Sequence, residues 1–181
     1  MKLPLILDGA TATNLYNAGM PKGVCVEQWI IENENALIAL QKDFIENGSQ
    51  AICAPTFGAN AAALSHYGLG DKVREYNRRL TALSKKAAAG RVYIGGDISP
   101  TGLIPEPYGN ARFDDIVDVY KEQASAILEE GIDFFICETS TDLREARAAV
   151  TAIKELCNLP VLALMTVDSN GRTLRDRKSV V

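Results

Sequence analysis

Five short apolar runs punctuate this chain: Leu3–Leu7, Ala51–Ala54, Val92–Gly95, Phe134–Cys137 and Val161–Met165. Each is too brief for a buried helix and lacks the apolar–polar alternation of a half-exposed strand, so each reads as a strand covered on both faces. Between them lie longer stretches whose apolar residues recur three and four positions apart. One carries Leu37, Leu40, Phe44 and Ile45 after the capping candidates Asn33 and Asn35, and ends at Gly48. Another runs from Asp71 with Val73, Tyr76, Leu80 and Leu83 and stops at Gly90. The next spans about 114–130 with Ile116, Tyr120, Ala124, Ile127 and Leu128, and the last carries Leu143, Ala146, Val150 and Ile153. Strands alternating with helices predict an α/β fold with a parallel sheet. Four of the five runs are followed by a polar residue: Asp8, Thr56, Asp97 and Glu138. Polar groups gathered on one rim of strand ends fit a (β/α)8 barrel, with an open doubly wound sheet as the alternative.

The composition, 47% hydrophobic and 23% charged over 181 residues, is that of a globular chain large enough for a sizeable core. A net charge of −4 gives no footprint for nucleic acid or an anionic membrane. Asp8 ends the first apolar run too soon for a signal peptide, and no stretch is long enough to span a bilayer. Cysteines 25, 53, 137 and 157 are irregularly spaced, which suits reduced thiols in the cytoplasm.

The sixteen residues Gly131 to Ala146 join a helix stop, an apolar run, a carboxylate and a new helix start. Glu138 at the end of that run is a functional candidate or a helix cap; Asp8 before Gly9 has the same two readings, with a cap on a helix near Thr11. Asp97 either touches a ligand or caps the loop at Ser99. Thr56 and Asn60 are further pocket candidates. The connection from Gly9 to Trp29 shows no clear period, and Trp29 reads as a packing residue. His66, the single histidine, reads as exposed, and Lys72, Arg74, Glu75, Arg78 and Arg79 as a solvated helix face. No G-x-G-x-x-G or G-K-S/T follows a strand, so a nucleotide loop is not expected.

Four segments occur together: Ile6-Leu-Asp-Gly-Ala-Thr-Ala-Thr13, Ala54-Pro-Thr-Phe-Gly-Ala-Asn60, Gly95-Gly-Asp-Ile-Ser-Pro-Thr-Gly102 and Gly131-Ile-Asp-Phe-Phe-Ile-Cys-Glu-Thr139. In order and spacing they resemble the homocysteine S-methyltransferase family, which includes the homocysteine module of cobalamin-dependent methionine synthase. The resemblance runs from about Leu3 to Leu174. It implies a (β/α)8 TIM barrel that transfers a methyl group to the homocysteine thiol to give methionine, with Zn2+ activating the sulfur. It also implies that Asp8 and Glu138 hold the substrate ammonium and that backbone at Gly9 and Ala10 approaches its carboxylate. Ala54-Pro55 stands where many members carry Thr-Asn. The methyl source, whether a corrinoid (cobalamin), methylfolate, S-methylmethionine or a betaine, is left open.

The family's zinc ligands are three cysteines on later strands, and the resemblance places them beyond Val181. Cys137 alternates with Glu138 and so faces the opposite side, and the four cysteines present read as structural thiols rather than metal ligands. The expected division is therefore 1–175 as the N-terminal part of a barrel, truncated after about five strands, and 176–181 as a non-native tail. The tail, Asp176 to Val181, matches one reading frame of a widely used sequencing adaptor. An unfinished barrel keeps open sheet edges, so the fragment is expected to self-associate and to be inactive alone. The alternatives are a non-catalytic half-barrel completed by another chain and a different α/β-barrel enzyme such as a lyase or aldolase; no lysine at a strand end supports the latter.

Overall fold

In a computed structural model, which describes residues 4–173, four of the five apolar runs form one parallel sheet. The strands are β1 (Ala51–Ala54), β2 (Tyr93–Ile98), β3 (Phe134–Ser140) and β4 (Val161–Met165), in spatial order β1-β2-β3-β4. Seven α-helices precede or connect them: α1 (Thr11–Asn17), α2 (Val26–Glu32), α3 (Glu34–Glu46), α4 (Ala61–Ser65), α5 (Val73–Ala88), α6 (Phe113–Leu128) and α7 (Leu143–Leu156). Sequential parallel pairing through helical crossovers is the opening half of a barrel rather than a doubly wound sheet, in which the strand order reverses at a switch point. The proposed tail at 176–181 lies outside the described residues.

The first apolar run is the exception. Leu5 and Leu7 pack on the sheet, but among the described residues of the run no strand forms. Ile6 O accepts from both Gln50 N and Ala51 N, and further along the Cys53 N–H goes to the Asp8 carboxylate at 3.0 Å. With the next ladder position taken by a side chain and Pro4 lacking a donor, a regular ladder cannot extend.

Strand side chains divide by parity between two faces. Ile98, Phe135 and Cys137 pack against α6 and α7, with Ile116, Tyr120, Ile127 and Ile153. The other face, the barrel interior, carries Ala51, Phe134 and Ile136, with Leu5, Leu7, Cys53 and Leu162 around them. Two glycines permit this packing. A Cβ on Gly95 would lie 2.6 Å from the Phe134 ring, and one on Gly96 would lie 2.7 Å from Ile127 Cγ2. The same parity assigns Cys53, Asp97 and Glu138 to the interior face at the carboxyl ends of three neighbouring strands.

The helices follow their apolar stripes. Val73, Tyr76, Leu80 and Leu83 are buried on α5, as are Ile116, Tyr120, Ala124 and Ile127 on α6. On α7, Ala146 and Ile153 are buried while Leu143 is exposed at the helix start, where Asp142 caps it by accepting from Arg144 N at 2.8 Å. Helix α5 ends one turn position earlier than Gly90, with Ala89 already left-handed at φ +46°. Asn33 does not cap α3 with its side chain; its Nδ2 donates to Trp29 O at 2.9 Å and so closes α2. Trp29 packs on the first helical core cluster. The charged face of α5 is exposed but paired: Arg74 and Arg78 reach Glu129, Arg78 also reaches Glu130, and Arg79 reaches Glu34. Exposed pairs of this kind contribute little each, roughly 0–1 kcal/mol, but they tie α5 to the end of α6 and the start of α3.

Candidate functional site

At the carboxyl ends of the strands a cavity of about 690 Å³ opens on the interior face. Its walls include Asp8, Gly9, Ala10, Glu27, Cys53, Asp97 and Glu138, and no lysine, arginine or histidine is among the lining residues. Four carboxyl groups thus surround one space, with no basic side chain among the described lining residues. A larger groove, about 1230 Å³, lies at the other end of the strands near Leu5, Tyr93 and Asp133, away from these carboxyls.

Asp8 is held in place by the Cys53 N–H and does not cap α1, whose N-cap is Ala10 without a side-chain bond. Burial raises its pKa to about 6, with the Glu138 charge adding to the rise and the Cys53 amide opposing it. Gly9 beside it stands against the Phe44 ring, 3.0 Å from where a Cβ would sit, which keeps this stretch of backbone open to the cavity.

Asp97 is buried at the end of β2. Its backbone is pinned to β1 by Thr56, whose hydroxyl donates to Asp97 O at 2.7 Å and lies 3.1 Å from Asp97 N. The carboxyl shares the cavity wall with Glu138, and its Oδ1 has no hydrogen-bond partner among the described residues. Burial first, and Glu138 next, push Asp97 well above the usual carboxylate range. The Ser99 hydroxyl, the expected partner of an Asp97 cap, donates to Phe57 O instead.

Glu138 is half-buried at the end of β3. Immediately after it Thr139 has φ +59°, and the pairing of β3 with β4 shifts register between Cys137 and Ser140. A left-handed β-branched residue is strained, and an irregular strand end of this kind commonly re-aims a side chain beside a site.

Thr56 and Asn60 are fully buried outside the cavity wall. Thr56 fastens β1 to β2, and Asn60 caps α4 by accepting from Ala63 N at 2.9 Å. His66 is exposed at the end of α4.

The residue that sequence reasoning missed is Glu27. It is buried on α2, accepts from Gly58 N at 2.8 Å and from the Cys25 thiol at 3.4 Å, and so clamps the loop after β1 over the cavity. The signal was present: Val26, Trp29 and Ile30 are spaced as one helical face, inside a connection that showed no period as a whole.

A family profile described as homocysteine S-methyltransferase matches residues 5–181. The chain belongs to the homocysteine S-methyltransferase family. Two curated relatives, the methionine synthases of Mycobacterium tuberculosis and Mycobacterium leprae, are 27% and 26% identical to this family member. Each match covers 94% of this chain but only 16% and 15% of the relatives' own length. The homocysteine methyltransferase MmuM from Escherichia coli shares the fold. Its metallated form superposes with a TM-score of 0.79 at 21% identity, over 97% of this chain and 69% of that one. Its oxidized form gives 0.82 at 19% identity, over 97% and 66%. The four-stranded sheet and its helices thus match part of a (β/α)8 barrel.

Among the described residues of this homocysteine S-methyltransferase family member, no group of three His, Cys, Asp or Glu side chains is arranged to hold a metal ion. The cysteines do not fit a thiolate site. Cys53 lines the cavity, but burial and the nearby Asp8 and Asp97 charges drive its pKa strongly upward, away from the thiolate a metal requires. Burial likewise pushes Cys137 up to about 12 on the helix side of β3 and Cys25 up to about 11 beside Glu27.

Proposed function

We propose that this chain is the amino-acid-holding part of a homocysteine S-methyltransferase, with the homocysteine ammonium bound between Asp8 and Glu138. The observation that carries the reading is the set of interior-face carboxyls around one cavity whose lining contains no basic residue. An ammonium supplies three N–H donors and a positive charge, which such a site otherwise lacks. Backbone at Gly9 and Ala10 then faces the substrate carboxylate, as the family resemblance implies. These contacts orient the amino acid so that its side-chain sulfur projects away from the carboxyl cluster.

The Zn2+ that activates the thiol in this family calls for ligands that the described residues do not provide. The methyl donor is a corrinoid, a methylfolate or another methyl carrier. The parent protein is a cytoplasmic transferase of methionine biosynthesis, and the 181-residue chain is inactive alone. The tail at 176–181 is proposed as non-native; the family match runs through Val181, so the nucleotide sequence decides that point.

One observation favours a second reading, a half-barrel completed by another chain or by a second copy. Among the described residues, strand β4 has no strand on its outer side, and Leu164 on it is 46% exposed. A lyase or aldolase reading finds no support, since no lysine lines the cavity.

The experiment is methionine formation from homocysteine with each candidate methyl donor, comparing this chain with a longer gene product that continues past it. Turnover by the longer protein and none by this chain is expected. Lack of methionine formation by both, with every donor, would overturn the proposed activity.

A further inference from the structure

The carboxyl pair Asp97 and Glu138 does something that holding an ammonium between Asp8 and Glu138 does not require. Asp97 stands opposite Ile136 in the parallel register, so Glu138 is the next interior-face residue along the neighbouring strand. Both carboxyls line the same cavity, and Asp97 Oδ1 is buried without a hydrogen-bond partner among the described residues. Among the described residues, the groups facing them are acidic or neutral: Asp8 from the segment before α1, Glu27 from α2 and Cys53 from β1. Two acidic acceptors on adjacent strands, in a wall lined by no basic side chain, are relieved of mutual repulsion by a hydrogen between them.

We propose that Asp97 and Glu138 share one proton and exchange it for the ammonium of the bound amino acid. The shared O–H bond breaks, its proton leaves to solvent, and N–H donors of the ammonium take up both carboxylates. One positive charge enters as one leaves, so the charge of the pair and its occupant is unchanged, and each amino acid bound releases one proton. This rests on the reading of the cavity as a homocysteine site. Asp97 acts here as a binding residue, with a role distinct from that of Asp8, which is already supplied with a hydrogen by the Cys53 amide.

The test uses this chain at pH 7.5 and L-homoserine, which carries the amino-acid group of homocysteine but no thiol to contribute a proton. Infrared difference spectra should show a carboxylic-acid C=O band in the ligand-free protein that Asp97→Asn and Glu138→Gln each remove. Saturation with L-homoserine should erase it in the unsubstituted protein. Calorimetry in phosphate and in Tris buffer should report release of about one proton per ligand, and none for Asp97→Asn. Near-UV circular dichroism establishes that each variant is folded, and the half-buried Glu138 variant reads the same proton if Asp97→Asn is not. Absence of the band, its survival in both folded variants, or binding without proton release would each overturn the proposal. If the ligand-free band is present and is lost in both variants, but L-homoserine neither alters it nor gives binding heat, the exchange is overturned together with the homocysteine reading. Binding with the band unchanged leaves that reading intact and overturns the exchange alone.

Discussion

Asp8 and Cys53 are joined across the sheet edge by a hydrogen bond from the Cys53 amide to the Asp8 carboxylate at 3.0 Å. One bond does two jobs. It ends the pairing of the first apolar run with β1, and it sets a carboxylate at the mouth of the cavity opposite Glu138.

That placement carries a stability cost with a definite pH dependence. Burial raises Asp8 from 3.8 to about 6, so between those values the folded chain binds more protons than the unfolded one. Stability from this group is complete below pH 3.8 and is lost as pH rises through 6. Asp8→Asn keeps an acceptor for the Cys53 amide and removes the charge. It should gain roughly 1–3 kcal/mol at pH 7.5, with the gain disappearing near pH 4. Urea unfolding at the two pH values measures it.

The strained backbone at Thr139 is a second local cost. With φ +59°, it holds a conformation that glycine adopts without penalty. Thr139→Gly, normally destabilising at a strand end, should here be neutral or stabilising by up to ~1 kcal/mol. Chemical denaturation tests this, and a loss of more than that amount would refute the strain.

Glu145 holds the loop after β2 from within. Its Oε1 accepts from Thr101 N and Thr101 Oγ1, both at 2.7 Å, and from the Tyr120 hydroxyl at 3.3 Å. Glu145→Ala leaves the buried amide and two hydroxyls to find other partners, and should cost about 2–4 kcal/mol. Limited proteolysis should then cut within 99–112 faster than elsewhere.

The open side of β4 predicts association between copies. Leu164→Lys puts a charge on an exposed edge residue, a device that discourages edge pairing. Sedimentation should show the unsubstituted chain as oligomers and the variant shifted toward monomer, with stability changed by no more than ~0.5 kcal/mol.

Much of this architecture was legible because β1 to β4 are apolar on both faces and their connecting helices carry clean stripes. Parity along β3 also separates Cys137 from Glu138 in the sequence itself. The first strand was misread because nothing in Leu3–Leu7 reveals that a carboxylate three-dimensionally beside β1 will take the amide its ladder needs. Glu27 escaped because its helix is only two turns long inside a polar connection. The placing of Asp97 and Glu138 in one cavity wall depends on the register of β2 against β3, which composition does not encode. The turn at Thr139 is a β-branched residue in a conformation that residue type disfavours, so local propensity pointed away from it.

The central claim is that this acidic cavity holds an amino acid by its ammonium group, and calorimetric titration tests it most directly. L-homocysteine should bind this chain, its deaminated analogue 4-mercaptobutyrate should not, and Glu138→Gln should weaken homocysteine binding by about tenfold or more. Equal binding of the two ligands, or undiminished binding by Glu138→Gln, would contradict it.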